Sequence, residues 1–247
     1  MRRALVLVVS VVAFAIIVVA IAPASVARIA VERASNGTLT LMEAEGTLWR
    51  GHGTLAAPRA FRLPLAWVVD PWPLARGELR VQVLPSIAAS VAPRAEITAR
   101  RDAVALRDVD VTLPADMVEG LAPRSGIRVN GDLHVTTPSL DWTPTAFTGG
   151  ALIDWQDAQF AIAVDSAIRL GTVRAALAAA GDRLTGALTN VGGALDVRGT
   201  LSVSAAGAPN ATVTMTPREG DAAQARTLTV GADPGGRWDV QYRAGPP

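Results

Sequence analysis

The sequence predicts a mainly β protein, in which a single N-terminal transmembrane helix precedes an antiparallel, meander-like, curved β-sheet domain. Three observations lead to this fold class. A long uncharged apolar run opens the chain, segments with a period of two follow it, and glycine recurs two positions before leucine near their starts. Such a run is typical of a membrane helix, and the period of two is typical of half-buried strands.

The transmembrane helix is predicted over residues 4–27, which carry no charge. As a helix this stretch would measure about 36 Å, enough to cross a hydrocarbon core of ~30 Å. Cleavage as a signal peptide is the alternative, since Ser25 and Ala27 offer small residues to a peptidase. The apolar run is longer than that of most signal peptides, which favours an anchor.

The flanking charges predict the orientation of this anchor. Arg2 and Arg3 favour a cytoplasmic N-terminus, which places everything after residue 28 outside the cytoplasm. In a bacterium this means a cytoplasmic stub and anchor over residues 1–27 and a periplasmic β-rich domain over residues 28–247. The protein would then be a single-pass protein of the inner membrane.

Strands are predicted where apolar and polar residues alternate. The alternating apolar positions are Leu79, Val81 and Val83, then Leu195, Val197, Leu201 and Val203, and near the end Trp238, Val240 and Tyr242. Asn130-Gly131 predicts a β-hairpin with a type I′ turn, because these residues readily adopt the two left-handed conformations of that turn. Residues 175–180 are expected to form a strand that a turn closes at Gly181.

Glycine two positions before leucine is the recurring unit of the predicted meander. A glycine there can adopt the positive φ of a turn or bulge, and the leucine then enters one face of the strand. The glycines are Gly37, Gly46, Gly53, Gly77, Gly131, Gly150, Gly186, Gly193 and Gly199. Helical evidence outside the anchor is limited to a short candidate helix over residues 114–121.

Residues 136–145 break the alternation with two prolines and four threonines. They predict either a hinge between two halves, residues 28–135 and 145–247, or a long loop within one sheet.

Two missing residue types exclude whole classes of chemistry. The chain has no Cys, which excludes thiol nucleophiles, thiolate metal sites and disulfides. It also has no Lys, which excludes a Schiff base and a Walker-type lysine. A net charge of +1 gives no electrostatic footprint for nucleic acid.

The two histidines, His52 and His134, lie far apart in the sequence and outside any ligand motif. A histidine–carboxylate dyad assembled by folding is one hypothesis for them. A turn residue at His52 and a strand surface residue at His134 are the simpler interpretation, and we expect no catalytic residue, cofactor or metal.

Two pairs of acidic residues invite the same question. Asp108 and Asp110 would share one face of a strand, and Asp154 and Asp157 lie three positions apart. Paired carboxylates can bind Ca²⁺ or act as a glycosidase pair. Arg107 accompanies the first pair and no calcium-binding loop is present, so a solvated face is the favoured interpretation.

The segment 45–53 has the densest grouping of unusual residues. It is expected to form a tight turn or bulge in which Gly46, Gly51 and Gly53 supply backbone freedom. Leu48 would enter the strand face, and Trp49 would cap the core, close to a second tryptophan. That second tryptophan is expected to be Trp67 or Trp72.

Several segments together resemble the type II secretion system protein N family. They are residues 44–51, 63–67, 71–74, 149–155, 170–171 and 188–201, in this order along the chain. The resemblance implies a bitopic inner-membrane protein with a periplasmic β domain, an accessory component of the machine that exports folded proteins across the outer membrane. It implies no catalytic residues.

Partners are expected to be periplasmic segments of other secretion components, which would pair with exposed strand edges. The alternative is a periplasmic lipid-binding or lipid-transfer protein of the AsmA type, in which alternating leucine and valine would line an apolar groove for lipid.

Overall fold

A computed structural model describes residues 21–57, 61–86, 93–116, 127–162, 168–207, 209–218, 226–232 and 238–244. One α-helix, α1, covers Ala24–Ala34, and a short 3₁₀ helix covers Pro73–Arg76. The strands are β1 Thr40–Gly46, β2 Arg50–Ala57, β3 Phe61–Asp70, β4 Leu79–Pro85, β5 Arg94–Arg100, β6 Ala103–Pro114, β7 Ile127–Thr143, β8 Ala146–Ile162, β9 Ile168–Ala180, β10 Arg183–Val191, β11 Leu195–Ser204, β12 Pro209–Pro217, β13 Arg226–Ala232 and β14 Trp238–Ala244.

These strands form one sheet of 14 strands whose spatial order is the sequence order. Every neighbouring pair is antiparallel, so connections alternate between the two ends of the sheet. Strands β1 and β14 lie at its two edges and do not close it. The prediction of a mainly β, antiparallel meander is confirmed.

Alternation along each strand gives the sheet an apolar face. In β3 the buried residues are Leu65, Trp67 and Val69, at every second position. Trp67 lies opposite Val83 of β4, and Val69 lies opposite Val81. These cross-strand neighbours share one face because side chains directly opposite in an antiparallel pair point the same way.

Three β-bulges keep the apolar residues on that face where the alternation changes phase. Glu43, Asp108 and Asp157 lie at register shifts in β1, β6 and β8, and each has a positive φ of 48–50°. In β6 the apolar residues have even numbers before the bulge, as at Leu106, and odd numbers after it, as at Val111. An extra residue reverses the direction of all later side chains, so the bulge restores the face.

The core consists of two clusters on the sheet. The first joins α1 to the first four strands, and its buried residues are Ala24, Leu41, Leu65, Trp67 and Val69. The second lies on β8–β12, and its buried residues are Ala158, Phe160, Leu170, Val173, Val197 and Met215. Burial of apolar area at roughly 25 cal/mol per Å² makes these clusters the main stabilising contribution.

Helix α1 begins directly after Pro23, which is extended and pairs with Thr47 in an isolated bridge. The backbone amide of Leu48 donates to the carbonyl of Ala22 at 2.8 Å. The chain is therefore bound to the sheet from residue 22 onward. Within the described residues no helix is both long and apolar enough to cross a membrane, and residues 4–20 of the predicted anchor lie outside them.

The predicted hairpin at Asn130-Gly131 is wrong. Strand β7 runs through both residues without turning, and they lie opposite the bulge of β8. Gly131 does adopt a positive φ of 111°, so the local preference is satisfied by a distortion within the strand. A side chain there would also collide, because a Cβ would lie 2.3 Å from the carbonyl oxygen of Gln156.

Residues 136–145 form neither a hinge nor a long loop. Residues 136–143 complete β7, and only residues 144–145 make the turn into β8. Pro138 is tolerated because it lies within a register shift between β7 and β8, where the ladder does not need its missing N–H.

Two further local predictions concern the ends of strands. The strand over residues 175–180 and its closing turn are confirmed, since β9 ends at Ala180 and pairs across Gly181 with β10. The candidate helix over residues 114–121 begins instead with the last residue of β6 and a turn at residues 115–116. Its remainder lies outside the described residues.

Candidate functional site

The segment 45–53 forms the connection between β1 and β2. The amide of Thr47 donates to the carbonyl of Arg50 at 2.9 Å, and the hydroxyl of Thr47 accepts the amide of Arg50 at 3.1 Å. Gly46, with a φ of 94°, ends β1 and lies against the carbonyl of Arg50. The predicted tight turn is therefore present, and its closure uses backbone groups and a threonine.

Gly51 provides the space for the buried indole of Trp67. The two residues are directly opposite in the β2–β3 pair, and a Cβ on Gly51 would lie 2.5 Å from an atom of the Trp67 ring. The indole N–H of Trp67 donates to the carbonyl of Leu48 at 3.1 Å, back across the turn. Trp67 is only 5% exposed, so this ring is the buried centre of the first cluster.

Gly53 lies two residues further along β2 and is on the same face of the sheet as Gly51. It is buried opposite Leu65, and a Cβ there would lie 3.3 Å from the Cα of Ala44 and 3.4 Å from the side chain of Leu41. The glycines at 51 and 53 thus permit close packing of large side chains onto the strand. Neither of them has a positive φ.

Of the other two tryptophans, Trp49 packs against the core as expected, and Trp72 does not. Trp49 is half-buried and packs against the first cluster from its edge. Trp72 does not contribute to the core, because it is 82% exposed. It lies outside because Pro73, the next residue, is the buried one in this connection. The buried partner of the turn is Trp67 alone.

Each histidine contacts one carboxylate on the polar face. His52 Nε2 lies 3.5 Å from a carboxylate oxygen of Glu45, and His134 Nε2 lies 2.8 Å from Asp110 Oδ1. The two histidines are on strands β2 and β7, and the structure does not bring them together. Among the described residues no group of three or more potential ligands could hold a metal ion.

The two members of each acidic pair lie in different backbone settings. Asp108 and Asp157 occupy bulges, whereas Asp110 and Asp154 lie in regular strand positions. Asp154 accepts two hydrogen bonds from Arg174, at 2.6 and 3.2 Å. This hydrogen bonding and the attraction of the carboxylate raise the pKa of Arg174. The geometry describes a solvated face with cross-strand ion pairs, as expected from the sequence.

An open cavity of about 490 Å³ lies beside the turn, between Trp49 and Trp72. Its polar lining includes Arg50, Asp70 and Arg80. Sequence reasoning missed this depression, because its walls come from three segments of the chain. The alternation of the strands gave no sign that the β3–β4 connection would place Trp72 in solvent.

Fold and site together define a class of protein. It is an open, antiparallel β-sheet protein in which Trp67, Gly51 and Gly53 have a packing role. Ion pairs lie on the polar face of the sheet. Comparison with known protein families matches residues 37–237 to "Type II secretion system (T2SS), protein N". The chain belongs to the type II secretion system protein N family. No curated protein and no solved structure matches it.

Family membership associates the protein with type II secretion, with the other components of that system and with the cell envelope. The family is one of secretion accessory components, as the resemblance in the sequence predicted. The match favours this function over the AsmA-like lipid protein that the sequence left as the alternative.

Proposed function

We propose that this protein is a non-enzymatic accessory component of the type II secretion system. The chain before Ile21 anchors it in the inner membrane, a shorter anchor than the expected residues 1–27 because Ala22 and Ala24 are bound to the sheet. The β sheet lies in the periplasm, where it supports export of folded proteins across the outer membrane. The family match over residues 37–237 is the observation that carries this proposal. The apolar, uncharged residues 4–20 and the arginines before them support the anchor and its orientation.

The non-enzymatic role is supported by the use the fold makes of its reactive residues. The side chain of His134 is 32% exposed and pairs with Asp110, which is 63% exposed, and the side chain of His52 is 60% exposed. A general base acts within hydrogen-bond reach of a bound substrate, and enzymes usually hold that substrate in a concave pocket. The described residues around these histidines provide open strand surface instead.

The sheet edges are the proposed contact surface for other secretion components. An unpaired edge can accept a strand from a partner, with hydrogen bonds supplied by both backbones. Strand β14 is the more suitable edge, because its seven residues pair with β13 without a register shift. Strand β1 is less suitable, since it contains the bulge at Glu43 and packs against α1.

Site-specific photocrosslinking in the secreting cell tests this proposal. A photoreactive amino acid at Gln241 of β14 is expected to crosslink to another secretion component. The same amino acid at Thr212, an exposed position on β12, which is paired with a strand on each side, is the matched control. Loss of the Gln241 product when the partner gene is deleted identifies the partner.

Two results would contradict the proposal. Equal crosslinking at Gln241 and Thr212 would show that the β14 edge is not the specific contact surface. Normal export in a strain that lacks this protein, with no crosslink at either position, would remove the secretion function itself.

A further inference from the structure

An exposed apolar patch lies at one end of the sheet, near β1–β4. It consists of Ile21, Trp72, Leu74 and Leu79, which are called here the end patch. Trp72 is 82% exposed and Ile21 is 67% exposed, and the other two are each 41% exposed. Large apolar side chains grouped in this way mark an interaction surface more often than isolated ones do.

The fold holds Trp72 in solvent through its own hydrogen bonds. The backbone amide of Trp72 donates to Asp70 Oδ1 at 3.1 Å, and Pro73, the first residue of the 3₁₀ helix, is buried. Gly77, with a φ of 74°, closes the connection, and its amide donates to the carbonyl of Leu74 at 3.0 Å. The exposed ring is therefore presented by a closed, hydrogen-bonded turn.

The N-terminal part of the chain meets the sheet at this same end. The carbonyl of Ala22 accepts the amide of Leu48, and the carbonyl of Trp49 accepts the amide of Val69 at 2.7 Å. The β1–β2 turn thus joins residue 22 to the connection that carries Trp72. Trp49 and Trp72 also line one open cavity. Residues 4–20, which directly precede Ile21, are apolar and uncharged.

We propose that the end patch lies in the headgroup region of the phospholipid bilayer, with Trp72 inserted at the membrane–water interface. This inference rests on the proposed anchor. If the chain crosses the bilayer before Ile21, no linker separates the membrane segment from the sheet, because the chain is bound to the sheet from Ala22. The end of the sheet must then lie on the membrane surface, where tryptophan is the preferred residue.

The charges around the patch agree with a phospholipid surface. Arg50 and Arg76 are exposed at this end, where their guanidinium groups can contact lipid phosphates. The carboxylate of Asp70 is engaged by the Trp72 amide, and that of Glu78 lies 2.9 Å from Arg100. Asp70 is thus hydrogen-bonded to the backbone, and Glu78 is in an ion pair within the protein.

Fluorescent labelling of the full-length protein in vesicles tests the proposal. The chain has no native cysteine, so a single Ala75→Cys variant carries one environment-sensitive nitrobenzoxadiazole probe beside Trp72. Ala194→Cys is the matched control, since it is also exposed but lies in the β10–β11 turn at the opposite end. The vesicles contain phosphatidylethanolamine with a minority of phosphatidylglycerol and a shallow nitroxide-labelled lipid as quencher.

The expected result is a blue-shifted, strongly quenched probe at position 75 and an unquenched probe at position 194. Replacing the ring in the labelled protein, by Trp72→Ser, is expected to remove most of the quenching at position 75. Equal quenching at both positions, no quenching at position 75, or quenching that Trp72→Ser leaves unchanged would overturn the proposal. Trp72 would then be assigned to a protein partner.

A third probe separates this proposal from the anchor on which it rests. Val12→Cys places the probe inside the apolar run, where a deep nitroxide lipid is expected to quench it. Quenching at position 12 without quenching at position 75 overturns the membrane contact of the patch alone. Loss of quenching at position 12 overturns the anchor, and with it this part of the proposed function.

Discussion

Replacing Gly51 by alanine is expected to destabilise the protein through the ring of Trp67. The new Cβ would lie 2.5 Å from the Trp67 ring and 2.5 Å from the carbonyl oxygen of Glu45. The carbonyl belongs to the β1 backbone, so relieving its contact requires a shift between β1 and β2, and relieving the other contact requires the ring to shift as well. The shift lengthens the 3.1 Å hydrogen bond from the indole N–H to the carbonyl of Leu48.

The magnitude comes from two contributions. Overpacking a well-filled core costs about 1–3 kcal/mol, and loss of one buried hydrogen bond adds about 1 kcal/mol. The expected cost of Gly51→Ala is therefore about 2–4 kcal/mol in the free energy of unfolding. Urea denaturation of the full-length protein in detergent, followed by tryptophan fluorescence, measures this difference.

A control and a second background make the test specific. Gly181→Ala is the control, because a Cβ there meets nothing within 4 Å and only the positive φ of 66° is strained. It is expected to cost about 1 kcal/mol. In a Trp67→Leu background Gly51→Ala should cost less, since the ring is gone. Equal costs in both backgrounds, or a cost no larger than that of Gly181→Ala, would refute the reasoning.

Three further substitutions test the remaining assignments by the same measurement. His52→Ala should change the free energy of unfolding by less than about 0.5 kcal/mol, because the side chain is exposed and its carboxylate contact is 3.5 Å long; a larger loss would restore a role for His52. Asn190→Ala should cost about 2–3 kcal/mol, since its amide group bonds four backbone groups in the β9–β11 region, whereas the exposed Asn210→Ala should cost little. Thr137→Val should cost about 1–2 kcal/mol, because Thr137 is 3% exposed and its hydroxyl donates to a backbone carbonyl of β8; an equal effect of the exposed Thr189→Val would contradict this.

The strands and their order were predictable because they depend on local patterns. Alternation at Leu195 and Val197 predicts a strand with one buried face, and β11 has that face on the second cluster. The closing turn at Gly181 was predictable for the same reason, since a glycine after an alanine-rich strand provides the required positive φ. Connections of a few residues between successive strands then favour a meander.

Asn130 and Gly131 show where local prediction fails. Their preference for left-handed backbone suits a hairpin turn, yet the same preference is satisfied in the middle of β7 opposite the bulge of β8. The carbonyl of Asn130 accepts the indole N–H of Trp155 at 2.9 Å, a contact from the neighbouring strand. Hydrogen bonds to a strand some 25 residues away select the bulge over the turn.

The segment 45–53 also combines features that the sequence predicts with features that depend on the tertiary structure. The turn at Gly46 was readable from the sequence by itself, because backbone freedom is a property of the residue. Gly51 and Gly53 have no positive φ and instead leave space for packing, which the sequence did not show. Only the tertiary structure decided that Trp67 is the buried ring over Gly51 and that Trp72 is exposed beside the β1–β2 turn. The burial of each ring depends on the strand opposite it and on the residues next to it in the connection, and those neighbours are in place only once the sheet has formed.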